Sequence, residues 1–304
     1  MNPILGLATS WSSITEIVER CKKLKVNAVA LRVASLPKNK NTGFVSKQSL
    51  IEIQGKLSDA GIKINTLIQW FGDEDRLVKT PSKNNHAIES MLETIRIQGE
   101  AGINCQLHYV DVPEPSQPSL DGMYWDGMLS IYKKIIPQAE MSKVNIANHG
   151  IWRCLPNNLR ERAIIENVKK SDYRSYRKPT WGGPYLVRTA DHINRIVSSV
   201  PSIRNGYTLC TGLYITGGDP LFELRRFNKK IFFVQIRDLK GRWPNSEEVF
   251  PGTGDLNFST ILSELKNIGY GGFIHPEHLG KPLNAKDDIE ARATYLLREW
   301  IDQA

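Results

Sequence analysis

Short apolar runs of strand type alternate with amphipathic helical stretches eight times along these 304 residues. The strand-like runs are Ile4–Ala8, Ala28–Val33, Ile62–Trp70, Asn104–Val112, Val144–Ala147, Tyr207–Cys210, Ile231–Ile236 and Gly272–His275. The helical stretches are Ser12–Lys25, Ser46–Ala60, Asn85–Ala101, Gly122–Met141, Thr189–Val200, Pro220–Phe227, Phe258–Ile268 and Asp288–Ile301. Ser12 or Ser13 suits an N-cap, and Gly61, Gly102 and Gly269 suit helix stops. Ile231–Ile236 is apolar throughout, as expected of a strand covered on both faces. Strands alternating with helices imply right-handed crossovers and a parallel sheet. Eight such units close most naturally into a (β/α)₈ TIM barrel spanning residues 1–304 as one domain. The other arrangement open to this rhythm is a doubly wound sheet, which the lack of a GxGxxG after the first strand disfavours.

Two stretches interrupt the rhythm. Leu36–Val45 is a loop rich in Lys and Asn, and Gly150–Arg188 is a long insertion after the fifth strand. The insertion mixes cations such as Arg153, Arg174 and Arg188 with aromatics such as Trp152, Trp181 and Tyr185. A loop of that length in a compact domain is usually functional or disordered. Placed over a site it would supply cations to an anionic substrate. Its bland readings are a solvated basic loop or a contact between copies of the chain.

The net charge of +8 suits anionic small molecules and nucleic acid alike. Cys21, Cys105, Cys154 and Cys210 form no CxxC pair, so structural disulfides are not expected. No apolar run is long enough to span a bilayer, and MNPILGLATSW lacks the regions of a signal peptide. A cytoplasmic protein is therefore expected, with no membrane partner.

In a barrel, chemistry collects where strands end. The fourth strand carries Gln106 and His108, two apart and so on one face. The fifth ends in Asn148 and His149, the sixth in Cys210-Thr211-Gly212. The seventh carries Gln235 and Arg237 on one face, followed by Asp238. The eighth ends in GGFIHPEHLG, where His275, Glu277 and His278 arrive within four residues around Pro276. A carboxylate and imidazoles at one rim are proton-transfer and metal-binding groups. His108, Asn148, Asp238 and His275 are the candidate substrate contacts. Any one of them alone is more often a packed polar residue, and it is their recurrence at successive strand ends that marks a site.

From Pro251 to His278 the chain reads PGTGDLNFSTILSELKNIGYGGFIHPEH, preceded by FVQIRD at 233–238. This stretch resembles the xylose-isomerase-like barrel superfamily of sugar isomerases and epimerases. Gly252, Gly254, Asp255, Gly269, Tyr270, Gly272 and Glu277 match its G-x-G-D turn, GY-x-G and final acid. Within it the likeness is to the mannonate dehydratase family, through Cys210-Thr211-Gly212, Arg237, and Pro276-Glu277-His278 with Leu279 inserted before Gly280. The likeness covers most of the chain in pattern and is specific in about its last third.

What the resemblance implies is a divalent metal, Mn²⁺, held by a residue after strand five, by Cys210, by the strand-seven residue Gln235 and by Glu277. His278 would transfer protons and Arg237 would steady the negative charge of a small sugar acid. Two positions depart from the family: Gln235 stands where it has His, and Asn148-His149-Gly150 replaces its fifth-strand run, with Ala147 where the epimerases have Glu. The fifth-strand ligand is thus either His149 or Asn148. The expected activity is a metal-dependent sugar-acid dehydratase. The alternatives are a sugar isomerase or epimerase, and a non-catalytic sugar-acid-binding barrel. A nuclease acting at abasic sites would need more His and acid ligands than these strand ends offer.

Overall fold

The computed structural model describes residues 2–70, 74–112, 115, 118–151, 185–242, 246–280 and 288–304. Its centre is a wholly parallel sheet that curls until its two ends meet on the first strand. That strand is split at Gly6 into β1 (Ile4–Leu5) and β2 (Leu7–Ser10). The first half pairs with β11 (Phe273–Pro276) and the second with β3 (Ala28–Arg32). Between them run β4 (Lys63–Trp70), β5 (Cys105–Tyr109), β6 (Asn145–His149), β7 (Asn205–Cys210) and β8 (Ile231–Ile236). Eight staves result, as the alternation predicts. At the split a side chain is impossible: a Cβ on Gly6 would lie 2.2 Å from the Phe273 ring.

The helices pack outside. They are α1 (Ile14–Leu24), α2 (Lys47–Asp59), α3 (Glu74–Lys79), α4 (Asn85–Glu100), α5 (Asp121–Met141), α6 (Ala190–Ser199), α7 (Pro220–Phe227), α8 (Phe258–Asn267) and α9 (Ile289–Gln303). Ser13, rather than Ser12, caps α1 by accepting from the Glu16 amide. Gly61, Gly102 and Gly269 all take the left-handed conformation that ends a helix. No helix among the described residues is long and apolar enough to cross a membrane. A short antiparallel hairpin that the sequence rhythm does not announce, β9 (Asp238–Lys240) with β10 (Glu247–Val249), rises from the end of β8.

Strand alternation sorts side chains into two cores. Ala28, Ala30, Ile68, Cys105, Leu107, Tyr109, Ala147, Phe233 and Phe273 fill the barrel interior. Larger clusters lie between strands and helices. This parity corrects two expectations. Gln106 and His108 do share a face, but it is the outer one. His108 Nε2 donates to Gln106 Oε1 at 2.6 Å, and Gln106 Nε2 donates to Gln98 Oε1 on α4 at 3.1 Å. Gln98 in turn donates to the Ile103 and Cys105 carbonyls, so the three form a buried polar ladder between β5 and its helix. Asn148 also faces outward, where its amide donates to Asn205 Oδ1 at 2.7 Å and the Gly206 carbonyl at 2.8 Å. Neither side chain points to the barrel axis, where the cavity lies.

Burial pushes His108 down to about 3, from an unfolded value near 6.5. Between those values the unfolded chain binds a proton that the folded chain excludes. Stability is therefore lost as pH falls from about 6.5 toward 3, at up to about 1.4 kcal/mol per pH unit from this one group. Urea unfolding of the wild type and of His108→Gln, which keeps a donor for Gln106, checks this. The variant is expected to show the shallower fall below pH 6, and parallel curves would refute the assignment.

Candidate metal centre

Inward parity at the strand ends assembles the site. His149 is the last residue of β6, Cys210 the last of β7, Gln235 sits on β8, and Glu277 follows β11 directly. Ligand atoms of His149, Cys210 and Glu277 lie within 4.8 Å of one another. The three stand on β6, β7 and β11, which with β8 run side by side, and the curl of the sheet turns their ends toward one point. Imidazole, thiolate and carboxylate make a donor set that suits a divalent cation between hard and soft. Gln235 is 1% exposed, and its Oε1 is buried without a hydrogen bond of ordinary geometry. Its side chain also interacts with the His149 ring, so an amide oxygen stands beside the three ligand groups, where it could join them around a cation. The choice left open between Asn148 and His149 is settled in position by parity, because only His149 points to the axis.

These groups floor a cavity of about 550 Å³ whose wall includes Trp70, Tyr109, Arg237 and His278. Burial pushes His149 down to about 4, opposed by the Glu277 charge, so the ring is neutral and able to ligate at neutral pH. Burial works to raise Glu277, but His275, His278, His149 and Arg237 around it hold the carboxyl below its usual value. Burial likewise lowers His275. That ring stands inward beneath Glu277, edge-on to Phe233, with Nδ1 donating to the Pro276 carbonyl at 3.0 Å. It lines the cavity as a wall group.

His278 answers a geometric difficulty. On a regular strand it would point away from the face that Glu277 serves. Instead the chain turns there, with His278 at φ +49°. Both side chains then serve one cavity. His278 Nδ1 lies 3.1 Å from Glu248 Oε1, and Nε2 lies 3.9 Å from Glu277 Oε1.

Arg237 is fixed from three sides. Its backbone N–H donates to Thr211 Oγ1 at 2.8 Å, and that hydroxyl donates back to the Arg237 carbonyl at 2.6 Å. Its guanidinium lies over Gly212, where a Cβ would fall 1.7 Å from Nε. Its Nη1 meets Glu248 Oε1 at 3.2 Å. The Cys-Thr-Gly triplet is thereby explained: one residue faces the cluster, one latches β7 to β8, and one leaves room for Arg237.

Asp238 is the third corrected expectation. It is fully buried, with Oδ2 accepting from the Gly252 and Gly254 amides and Oδ1 from Leu239 and Leu256. It folds the turn that follows the hairpin and has no contact to offer a substrate. Most of the 150–188 insertion lies outside the described residues. Its two described ends, Ile151 and Tyr185, line the cavity. Arg188, the one cation of the insertion among the described residues, is 1% exposed and donates to the Tyr185 carbonyl.

Tyr109, Trp70 and Glu248 escaped the sequence reading. Tyr109 shares its parity with Cys105 and Leu107, which line the interior, so choosing that face of β5 over the Gln106–His108 face would have found it. Glu248 sits in a polar hairpin and gives no sequence signal.

Residues 18–299 match the family described as xylose isomerase-like TIM barrel. A mannonate dehydratase from Brachyspira hyodysenteriae is 24% identical over 278 residues, covering 76% of this chain and 78% of the relative. Among solved structures, mannonate dehydratase from Streptococcus suis serotype 2 superposes with a TM-score of 0.71 at 15% identity, covering 98% of this chain and 94% of the other. D-psicose 3-epimerase from Clostridium cellulolyticum H10 superposes with a TM-score of 0.69 at 13% identity, covering 100% and 99%. The match spans nearly every stave of the closed barrel, and the chain belongs to the xylose isomerase-like TIM barrel family.

Proposed function

We propose that this chain is a metal-dependent hydro-lyase acting on a small sugar acid, similar in activity to mannonate dehydratase. The observation that carries the reading is the convergence of His149, Cys210 and Glu277 within 4.8 Å, beside a fixed cation, Arg237, and an imidazole, His278. His149, Cys210, Glu277 and the Gln235 oxygen would hold a divalent ion. Mn²⁺ is the ion proposed, although the thiolate also suits a softer metal such as Zn²⁺. Bound there, the ion would act as a Lewis acid toward substrate oxygens.

The protein's own groups supply the rest. Arg237 stays charged, because the negative groups at Cys210, Glu277 and Glu248 outweigh its burial. It is placed to bind the substrate carboxylate. His278, held at Nδ1 by Glu248, presents Nε2 to the cavity, where it can move a proton. Removal of the proton next to the carboxylate and departure of the neighbouring hydroxyl release water and leave a 2-keto-3-deoxy acid. One observation favours a second reading. Arg237 already pairs with Glu248, which suits a sugar without a carboxylate and hence an isomerase or epimerase.

A panel of hexonates and ketoses separates the two. The first reading expects a 2-keto-3-deoxy product from a hexonate, whereas an isomerised ketose with no such product supports the second. His278→Ala is expected to lower turnover about 10²–10⁴-fold with metal content unchanged. Equal loss of metal would make His278 a ligand instead. Gly212→Ala should displace the Arg237 guanidinium, raising KM for the acid by about tenfold or more, the worth of one charge-assisted contact, while Mn²⁺ binding persists. An unchanged KM would remove Arg237 from substrate binding. Calorimetry should show Mn²⁺ affinity rising in Gln235→His. It should fall in Cys210→Ser by at least the roughly 10–100-fold that outer-shell changes cost. Absence of binding in all three proteins would leave the non-catalytic barrel as the better account.

A further inference from the structure

We propose that the Tyr109 hydroxyl is a positioning group that orients two ligand oxygens at once, Oε1 of Gln235 and the second oxygen of Glu277. The inference rests on the metal centre proposed above and assigns a determinant of its affinity. Tyr109 ends β5 and enters the cavity between two rings. Trp70 stacks on it at 4.1 Å and 12°, and His149 tilts against it at 4.6 Å and 50°. Its hydroxyl lies 2.6 Å from Gln235 Nε2 and 3.0 Å from Glu277 Oε1. Tyr109 is 7% exposed and Gln235 1%, so water does not mediate this arrangement freely.

The proton count fixes both orientations. An ionised carboxylate only accepts hydrogen bonds, so the single Tyr109 proton must go to Glu277 Oε1. The hydroxyl then has only lone pairs left for Gln235. The amide must therefore present its NH₂ group to Tyr109 and turn Oε1 away. The opposite amide orientation would set two acceptors against each other. Oε1 makes no hydrogen bond of ordinary geometry, and the Gln235 side chain interacts on that side with the His149 ring. With Oε1 of Glu277 committed to Tyr109, Oε2 is the oxygen left for the centre. A neutral amide is a weak ligand, and this hydroxyl keeps its oxygen on the correct side. An imidazole at position 235 would need no such help, because it offers a ligating nitrogen without an amide to orient.

The test uses Co²⁺ as the probe, added to metal-free protein. Binding is followed by calorimetry and by the near-ultraviolet thiolate-to-cobalt absorption that reports Cys210. Tyr109→Phe keeps the ring and its stacking. Its Co²⁺ dissociation constant is expected to rise about 10–100-fold while the thiolate absorption persists at saturation. In a Gln235→His background the same change should cost clearly less, because only the Glu277 half of the positioning remains. Equal losses in the two backgrounds would make Tyr109 a merely structural residue and overturn the proposal. So would unchanged affinity in Tyr109→Phe alongside a tight wild type. A wild type that binds no Co²⁺ would overturn the metal centre and this inference together. Tight, Tyr109-dependent binding without turnover of any hexonate would overturn the dehydratase reading and leave this one standing. Thermal unfolding of the metal-free proteins shows whether the Phe variant is folded. If it is not, Tyr109→Trp in both backgrounds, with the same two outcomes, replaces it.

Discussion

Closure of the sheet across β1 and β11 is the constraint on which the rest of the molecule depends. An open sheet of these strands would leave β11 and β3 at opposite edges with unpaired backbone. Gly6 removes that problem by letting one strand change partners. Ile4 donates to Gly272, and the Gly6 amide donates to Ile274, while Leu7–Ser10 pairs with β3. Phe273 fills the space that a side chain on Gly6 would take and stacks on Phe233 at 5.1 Å. The curl that this seam completes also turns the neighbouring ends of β6, β7 and β11 inward, so that His149, Cys210 and Glu277 meet. Without it the acid and the imidazole would have no common axis.

Around that axis, rigidity comes from backbone latches more than from ion pairs. Thr211 exchanges hydrogen bonds with the backbone of Arg237, which locks β7 to β8 at the level of Cys210 and Gln235. The Glu277 amide donates to Ile236, extending the β11–β8 ladder one residue past the strand. Asp238 gathers three amides of the turn after the hairpin together with that of Leu239, and so carries the hairpin that delivers Glu248. Glu248 then meets both Arg237 and His278. Glycines fit where these pieces touch. A Cβ at Gly254 would strike Asp238, and one at Gly280 would strike the backbone of Glu248 and Val249. The glycines of the G-T-G-D turn and of the last loop are thus requirements of a packed rim.

Electrostatically the site carries an excess of negative charge, which suits a cation. Glu277 and Glu248 face Arg237 and a set of imidazoles that burial keeps mostly neutral. Gln235 is neutral and so leaves this charge pattern unchanged. Gln235 keeps its place in the β8 register opposite His275 and Cys210. Its amide donates to the Tyr109 hydroxyl, which donates on to Glu277, so the three form one hydrogen-bonded chain.

By itself, the sequence determined the barrel. Eight apolar runs alternating with eight amphipathic helices, three of them stopped by a glycine, leave little choice of topology, because each unit must bury one face against the next. It also marked Cys210, Gln235, Arg237, Glu277 and His278, through their places on the last three strands and at their ends, together with the family resemblance. Parity within a strand was legible but its sense was not. Gln106 and His108 share a face, as do Cys105, Leu107 and Tyr109, and in a strand covered on both sides composition does not say which face is the axis. That decision belongs to tertiary structure. It sends His108 and Asn148 into the helix layer, turns Asp238 into a backbone clamp, and brings Tyr109 into the site. The left-handed turn at His278 and the arrival of Glu248 are tertiary as well, since they bring the hairpin after β8 against the end of the neighbouring β11.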